Sequence, residues 1–166
     1  AEPFHFSSKV KTSMDKLDRA ILQILQTDCT RPVAEIADQI GLGSPACWRR
    51  IQKLEESGTI RARVALLDGH KLNVGVVVFV SIKTTQHNAH WLAQFHAAVS
   101  AVDEVVEVYR MAGETDYLLR VAVPDVAAYD GVYKQLICIP GLADISSSFS
   151  MEQIKYSTRL PLRYAP

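Results

Sequence analysis

The residues from Ser44 to Lys53 have the types and spacing to do chemistry with a nucleic acid. Wound at 100° per residue, Cys47, Ile51 and Leu54 share one helical face, leaving Ser44, Pro45, Trp48, Arg49, Gln52 and Lys53 on the other. Arg can donate two hydrogen bonds to guanine, Gln can pair with adenine, and Lys and Ser can hold phosphates. The N-terminal end of such a helix approaches base edges most closely. Arg50, beside the core edge, suits a contact with the phosphate backbone. Taken alone, these charges would equally suit a solvated surface; their setting behind two further helices favours groove reading.

A second set lies at Met111-Ala112-Gly113-Glu114-Thr115-Asp116-Tyr117, with Ser146, Ser148 and Phe149 further on. The Glu114 and Asp116 carboxylates can accept from an ammonium group. Backbone amides near Gly113, with the Ser146 and Ser148 hydroxyls, can donate to a carboxylate. Together these are the groups an α-amino acid requires. A plain acidic turn is the simpler reading of the same residues. His87, His90 and His96 raise the question of zinc or nickel, but no Cys or carboxylate completes a four-ligand set, so surface histidines are expected and no metal. There is no nucleophile motif, phosphate loop or dinucleotide fingerprint, so neither an enzyme nor a cofactor is expected.

Positioning these groups requires two kinds of element. Leu17, Ile21, Ile24 and Leu25 predict a helix over 15–26, and Val33, Ile36, Ala37 and Ile40 a short one after Pro32. Gly41-Leu42-Gly43 supplies a tight reversal, and Ser44-Pro45 starts a third helix that Gly58 stops. Their apolar stripes, joined by Leu42, Cys47, Ile51 and Leu54, fill one small core of helix-turn-helix type. Residues 59–73 mix apolar and basic types, as a connector would.

Beyond Val74 the pattern is strand (76–84), helix (89–99, with Leu92, Phe95, His96 and Val99 inward), strand (105–111) and strand (116–123). A helix marked by Val126, Tyr129, Val132, Tyr133 and Leu136 and a strand (142–151) follow. This is the ferredoxin-like βαββαβ order. The run Val76–Val80 is apolar on both faces, although two helices can cover only one. In the last strand Ile145, Phe149 and Met151 are expected toward the helices and Ser146, Ser148 and Ser150 away from them. A homodimer burying sheet against sheet follows as the economical expectation.

The fold class expected is therefore α+β, with a helix-turn-helix (winged-helix-like) domain at 14–60, a linker strand at 61–74 and a βαββαβ domain at 75–166. Residues 1–13 are expected to be a loosely ordered extension or appended remnant. The formal charge of zero, from 18 basic and 18 acidic residues, requires any DNA contact to be arranged locally. No apolar stretch is long enough to span a bilayer, so no membrane partner is expected. Cys29, Cys47 and Cys138 are odd in number and widely spaced, and read as buried free thiols in a reducing cytoplasm.

Several fixed spacings agree at once with one known family. From Leu17 to Leu162 the chain resembles the Lrp/AsnC (leucine-responsive/asparagine, feast/famine) transcription regulators. The resemblance is carried by Leu17-Asp18-Arg19 through Ile24-Leu25, Ile36-Ala37, Arg50-Ile51, Leu54-Glu55 and Gly58. It continues in Gly113-Glu114-Thr115-Asp116-Tyr117-Leu118-Leu119, Pro140-Gly141 and Met151-Glu152-Gln153-Ile154-Lys155. It implies DNA-binding regulators that act on double-stranded DNA as dimers assembling to tetramers or octamers, bacterial, cytoplasmic and nucleoid-associated. It also implies an amino-acid effector between subunits, at the turn 113–116 and at 146–149. Many members carry Ser where this chain has Gly43, which would shift the helix start and its backbone contacts by one residue. The run Cys47-Trp48-Arg49-Arg50-Ile51 and the segment 151–158 resemble the branch that includes regulators of cysteine catabolism, implying a sulfur amino acid. The alternatives are a ligand-insensitive architectural DNA-binding protein of the same fold and, from another class, a metabolic enzyme or subunit carrying a ferredoxin-like regulatory domain.

Overall fold

A computed structural model describes residues 13–166; the extension expected at the N-terminus lies, but for residue 13, outside the described residues. The chain forms two compact units, one of residues 13–65 with 155–166 and the other of residues 66–154.

The first unit is helical. Helix α1 (Lys16–Leu25) starts at a reciprocal capping box: the Asp15 carboxylate accepts from the Asp18 amide (2.8 Å) and the Asp18 carboxylate from the Asp15 amide (3.2 Å). Helix α2 (Val33–Gln39) begins after Pro32, whose fixed φ suits a helical start. It ends in a Schellman turn: the Leu42 amide donates to the Ala37 carbonyl (2.8 Å) and the Gly41 amide to the Asp38 carbonyl (3.2 Å). Gly41 sits at φ +69°, which a side chain would resist. Helix α3 (Ser44–Glu56) follows from Gly43, so it opens at Ser44 with Pro45 in its first turn.

Ile21, Ile36, Cys47 and Ile51 are fully enclosed, and each such isoleucine contributes about 1.5–3 kcal/mol by burial. Leu22, which the expected stripe omitted, is also buried, and Leu162 from the C-terminal segment packs against the same core. The Gln26 amide donates to the Leu160 carbonyl (3.2 Å) and its carbonyl accepts from the Leu160 amide (2.9 Å). Arg19 donates to the Ala165 carbonyl (3.1 Å). By packing, 155–166 groups with the helical unit, at the far end of the run 75–166 expected as one domain.

The second unit contains β1 (Val76–Thr84), α4 (Ala89–Ser100), β2 (Val105–Arg110), β3 (Tyr117–Val123), α5 (Val126–Leu136) and β4 (Leu142–Phe149). Its antiparallel sheet has the order β2-β3-β1-β4, the ferredoxin-like arrangement. Both helices start at side-chain caps, Asn88 accepting from the Trp91 amide and Asp125 from the Ala128 amide. Val78, Val80, Ile82, Leu119, Val121 and Val123 line the covered face with Phe95, Val99, Val132 and Leu136.

Four expectations need correcting. The linker 61–74 forms no strand, and residues 61–68 are all exposed. The inward stripe of α4 is Trp91, Phe95 and Val99, while Leu92 and His96 are exposed. Trp91 earns its place by donating its indole N–H to the Pro140 carbonyl (2.6 Å) and stacking on Phe95 (5.1 Å between centroids). Strand β4 ends at Phe149, the Ser150 amide makes the last bond to β1 at the Val77 carbonyl (2.9 Å), and Met151 is 96% exposed. Of the three free thiols only Cys47 is buried; Cys29 is half-buried and Cys138 exposed.

Candidate nucleic-acid and effector sites

On α3, Cys47, Ile51 and Leu54 are buried, and Ser44, Pro45, Trp48, Arg49, Gln52 and Lys53 are all exposed. The helix therefore presents the polar set to solvent at the periodicity read from the sequence. Trp48 is 46% exposed, so it too stands on the outward face. The Arg49 Nε donates to the Pro45 carbonyl one turn back (3.3 Å), which steers its guanidinium toward the start of the helix. Neither Arg49 nor Lys53 forms an ion pair among the described residues. Two cations without an ion pair, an amide and a hydroxyl thus share one solvent-facing surface, which suits phosphate and base-edge hydrogen bonding.

Arg50 differs from the expectation of a free backbone contact. Its Nη1 lies 2.7 Å from Asp18 Oδ1 and 2.7 Å from Asp15 Oδ2, the two carboxylates of the α1 capping box. Those hydrogen bonds raise the Arg50 pKa, that to Asp18 most. The Asp18 amide, with help from Arg50, holds the Asp15 carboxyl below its ordinary range. Asp15 and Asp18 were missed as partners of α3.

In the sheet unit, the turn 111–116 is closed by the Met111 amide donating to the Asp116 carbonyl (2.8 Å), with Gly113 at φ +127°. The Asp116 carboxylate is half-buried and accepts from the Thr84 amide (2.9 Å), pinning the turn to the end of β1. Glu114 is 91% exposed and pairs with Lys83 Nζ at 3.1 Å. Met111 and Gly113 are exposed and Thr115 half-buried.

Register places the serines. Ser81 faces Ser146 and Phe79 faces Ser148, so Ser146 and Ser148 stand on the uncovered face of the sheet. Phe149 lies on the other face, edge-on to Tyr129 at 5.3 Å, and Ser147 hydrogen-bonds the Tyr129 hydroxyl. The turn and Ser146 therefore gather at one end of β1, Ser148 sits further along, and Phe149 supports the strand from behind.

The uncovered face also carries Phe79 (39% exposed), Leu118, and Arg120 paired to Glu107 at 2.6 Å. Arg120 foremost keeps the Glu107 carboxyl below its usual range. Lys83 and Ser81 were missed as neighbours of the turn; alternation along β1 from Phe79 is the signal that places them there. His87, His90 and His96 are exposed, and no group of three metal-ligating side chains gathers among the described residues. No helix among the described residues is long and apolar enough to cross a membrane.

Comparison with known proteins agrees with both halves of this picture. Residues 14–55 match the AsnC-type helix-turn-helix domain and residues 77–160 the Lrp/AsnC ligand binding domain. The chain is 46% identical over 150 residues to the DNA-binding transcriptional activator DecR of Escherichia coli K12, covering 90% of this chain and 99% of that one. Among solved structures it resembles an AsnC family transcriptional regulator from Agrobacterium tumefaciens (TM-score 0.87, 59% identity, 91% of this chain and 99% of that). It also resembles a Neisseria meningitidis transcriptional regulator in complex with L-Met (TM-score 0.86, 33% identity, 92% and 99%). With both domains matched in order on a helix-turn-helix and a ferredoxin-like sheet, the chain belongs to the Lrp/AsnC family.

Proposed function

We propose that this protein is a sequence-specific transcription regulator that reads double-stranded DNA with the outward face of α3. Its DNA affinity or oligomeric state responds to a small amino acid held between subunits near the turn 111–116. The observation that carries the reading is the pairing, in one chain, of an uncommitted polar helix face with an uncovered sheet face beside that turn.

Ser44, Pro45, Trp48, Arg49, Gln52 and Lys53 form the reading surface. Met111, Gly113, Glu114, Thr115, Asp116, Ser146 and Ser148 form the effector site, with Phe149 behind it. Asp116 acts chiefly by anchoring the turn, because one of its oxygens already accepts from Thr84. The exposed Phe79 on the open sheet supports dimerisation there, with further assembly to a tetramer or octamer. The protein acts in the bacterial cytoplasm, without a metal or cofactor. The relative bound to L-Met, at 33% identity, supports a sulfur amino acid as the first effector class to test.

A thermal-shift screen against the twenty amino acids tests this, because a ligand that binds only the folded state raises Tm. A selective rise, lost in Asp116→Ala, is expected. No rise with any amino acid would leave a ligand-insensitive DNA-binding protein.

A further inference from the structure

The reading surface of α3 shares an open cleft of about 550 Å³ with the start of α1, lined by Ser13, Asp15, Asp18, Arg49, Arg50 and Lys53. Three cations and two carboxylates meet there, and the carboxylates are spent on one cation. Both sit 2.7 Å from the same Arg50 nitrogen, while Arg49 and Lys53 have no ion pair among the described residues. The carboxylates are themselves fixed, because each caps the backbone amide of the other's residue. Arg50 is thus tied to a rigid fixture.

We propose that the Asp15–Asp18–Arg50 bridge is a specificity device: it withholds Arg50 from phosphate and sets the rotation of α3 about its axis, leaving Arg49 and Lys53 to meet DNA. Arg50 is on this account a positioning residue. The proposal rests on the reading of α3 as the DNA-contacting helix.

Two features favour this role over a purely stabilising one. The bridge is partly open to solvent on its Asp15 arm, with Arg50, Asp15 and Asp18 31%, 52% and 18% exposed, and an ion pair as exposed as that to Asp15 contributes little to folding. It also holds a net negative charge, two carboxylates to one guanidinium, beside the surface that must approach a polyanion. That lowers affinity for any duplex regardless of sequence, whereas the set rotation of α3, which decides the side chains that reach base edges, widens the gap between a matched site and the rest.

The test is the salt dependence of DNA binding by the full chain. It is measured by fluorescence anisotropy on a duplex the protein itself selects from random sequence and on an unrelated duplex. Arg50→Ala is expected to leave the slope of log K against log salt unchanged. Asp15→Asn with Asp18→Asn is expected to free Arg50, steepen the slope by about 0.9, the equivalent of one added phosphate contact, and narrow the ratio between the two duplexes. Adding Arg50→Ala to that pair should return the slope to its starting value.

A slope shallower by about 0.9 for Arg50→Ala alone would overturn the proposal, as would steepening that survives removal of Arg50. Should the alanine variant fail to fold, Arg50→Met keeps the aliphatic stem and serves the same comparison. Arg49→Ala and Lys53→Ala separate the two levels. If neither changes the slope, α3 does not touch DNA and the underlying reading falls as well.

Discussion

Arg49 is the side chain with most to offer a base edge: it is exposed, near the start of α3, and steered there by the Pro45 carbonyl. Arg49→Ala is expected to weaken binding to the selected duplex by about 1–3 kcal/mol, the worth of one good base contact, and to relax preference at one position. Unchanged affinity in a titration would remove Arg49 from the reading set.

Asp15 gives a pH effect whose sign is fixed. Its folded pKa is lowered, so its contribution is present above the ordinary carboxylate range and is lost as pH falls through the folded value. Glu107, lowered chiefly by Arg120, behaves likewise. Denaturant titrations should therefore show stability falling as pH drops below about 4. Stability rising on acidification would contradict both assignments.

The outward set on α3 was legible at this scale because helical period alone assigns each residue a side. The partners of Arg50 were not, since Asp18 stands 32 residues away and nothing local marks a carboxylate as spoken for.

Elements were legible where periodicity and breakers agree. β1 has the expected bounds, 76–84, because a β-branched run meets turn residues at both ends. The rotation of α4 was misread, since Leu92 and His96 offered a helical stripe as regular as the real one. What decides is the Trp91 indole, which gains bulk burial and a carbonyl partner from a loop 49 residues on.

The turn between α2 and α3 sets the angle at which α3, the helix proposed to read DNA, is offered, and Gly41 makes it possible. Its positive φ costs an L side chain roughly 1–2 kcal/mol, although a methyl would meet nothing within 4 Å. Gly41→Ala is accordingly expected to lower stability by that amount and to weaken DNA binding only as the unit unfolds. A melt as high as the unaltered protein's would show that the turn tolerates the change.

At the scale of the molecule, the helical unit is assembled from both ends of the chain. Leu162 packs against its core, residue 165 hydrogen-bonds to Arg19 of α1, and residue 160 to the C-cap Gln26. No periodicity announces this, because 155–166 has almost no regular structure and its contacts span up to 147 residues. Deleting 155–166 should cost the helical unit about 1–3 kcal/mol in lost hydrogen bonds and apolar cover. Limited proteolysis should then cut 13–65 sooner while sparing the sheet. Equal protection would show that the tail adds nothing.

The two units also divide the labour proposed for them, one offering a reading surface and the other a binding face. Whether they are linked is decided by one quantity: the affinity of the full chain for its selected duplex with and without the amino acid that raises Tm. Linkage requires a ligand that shifts assembly or DNA affinity to interact differently with the states involved. A reproducible change in the apparent Kd, or in the oligomer bound, is predicted, and it should vanish in Asp116→Ala. The same Kd and the same stoichiometry at saturating amino acid would contradict the account of an effector-responsive regulator.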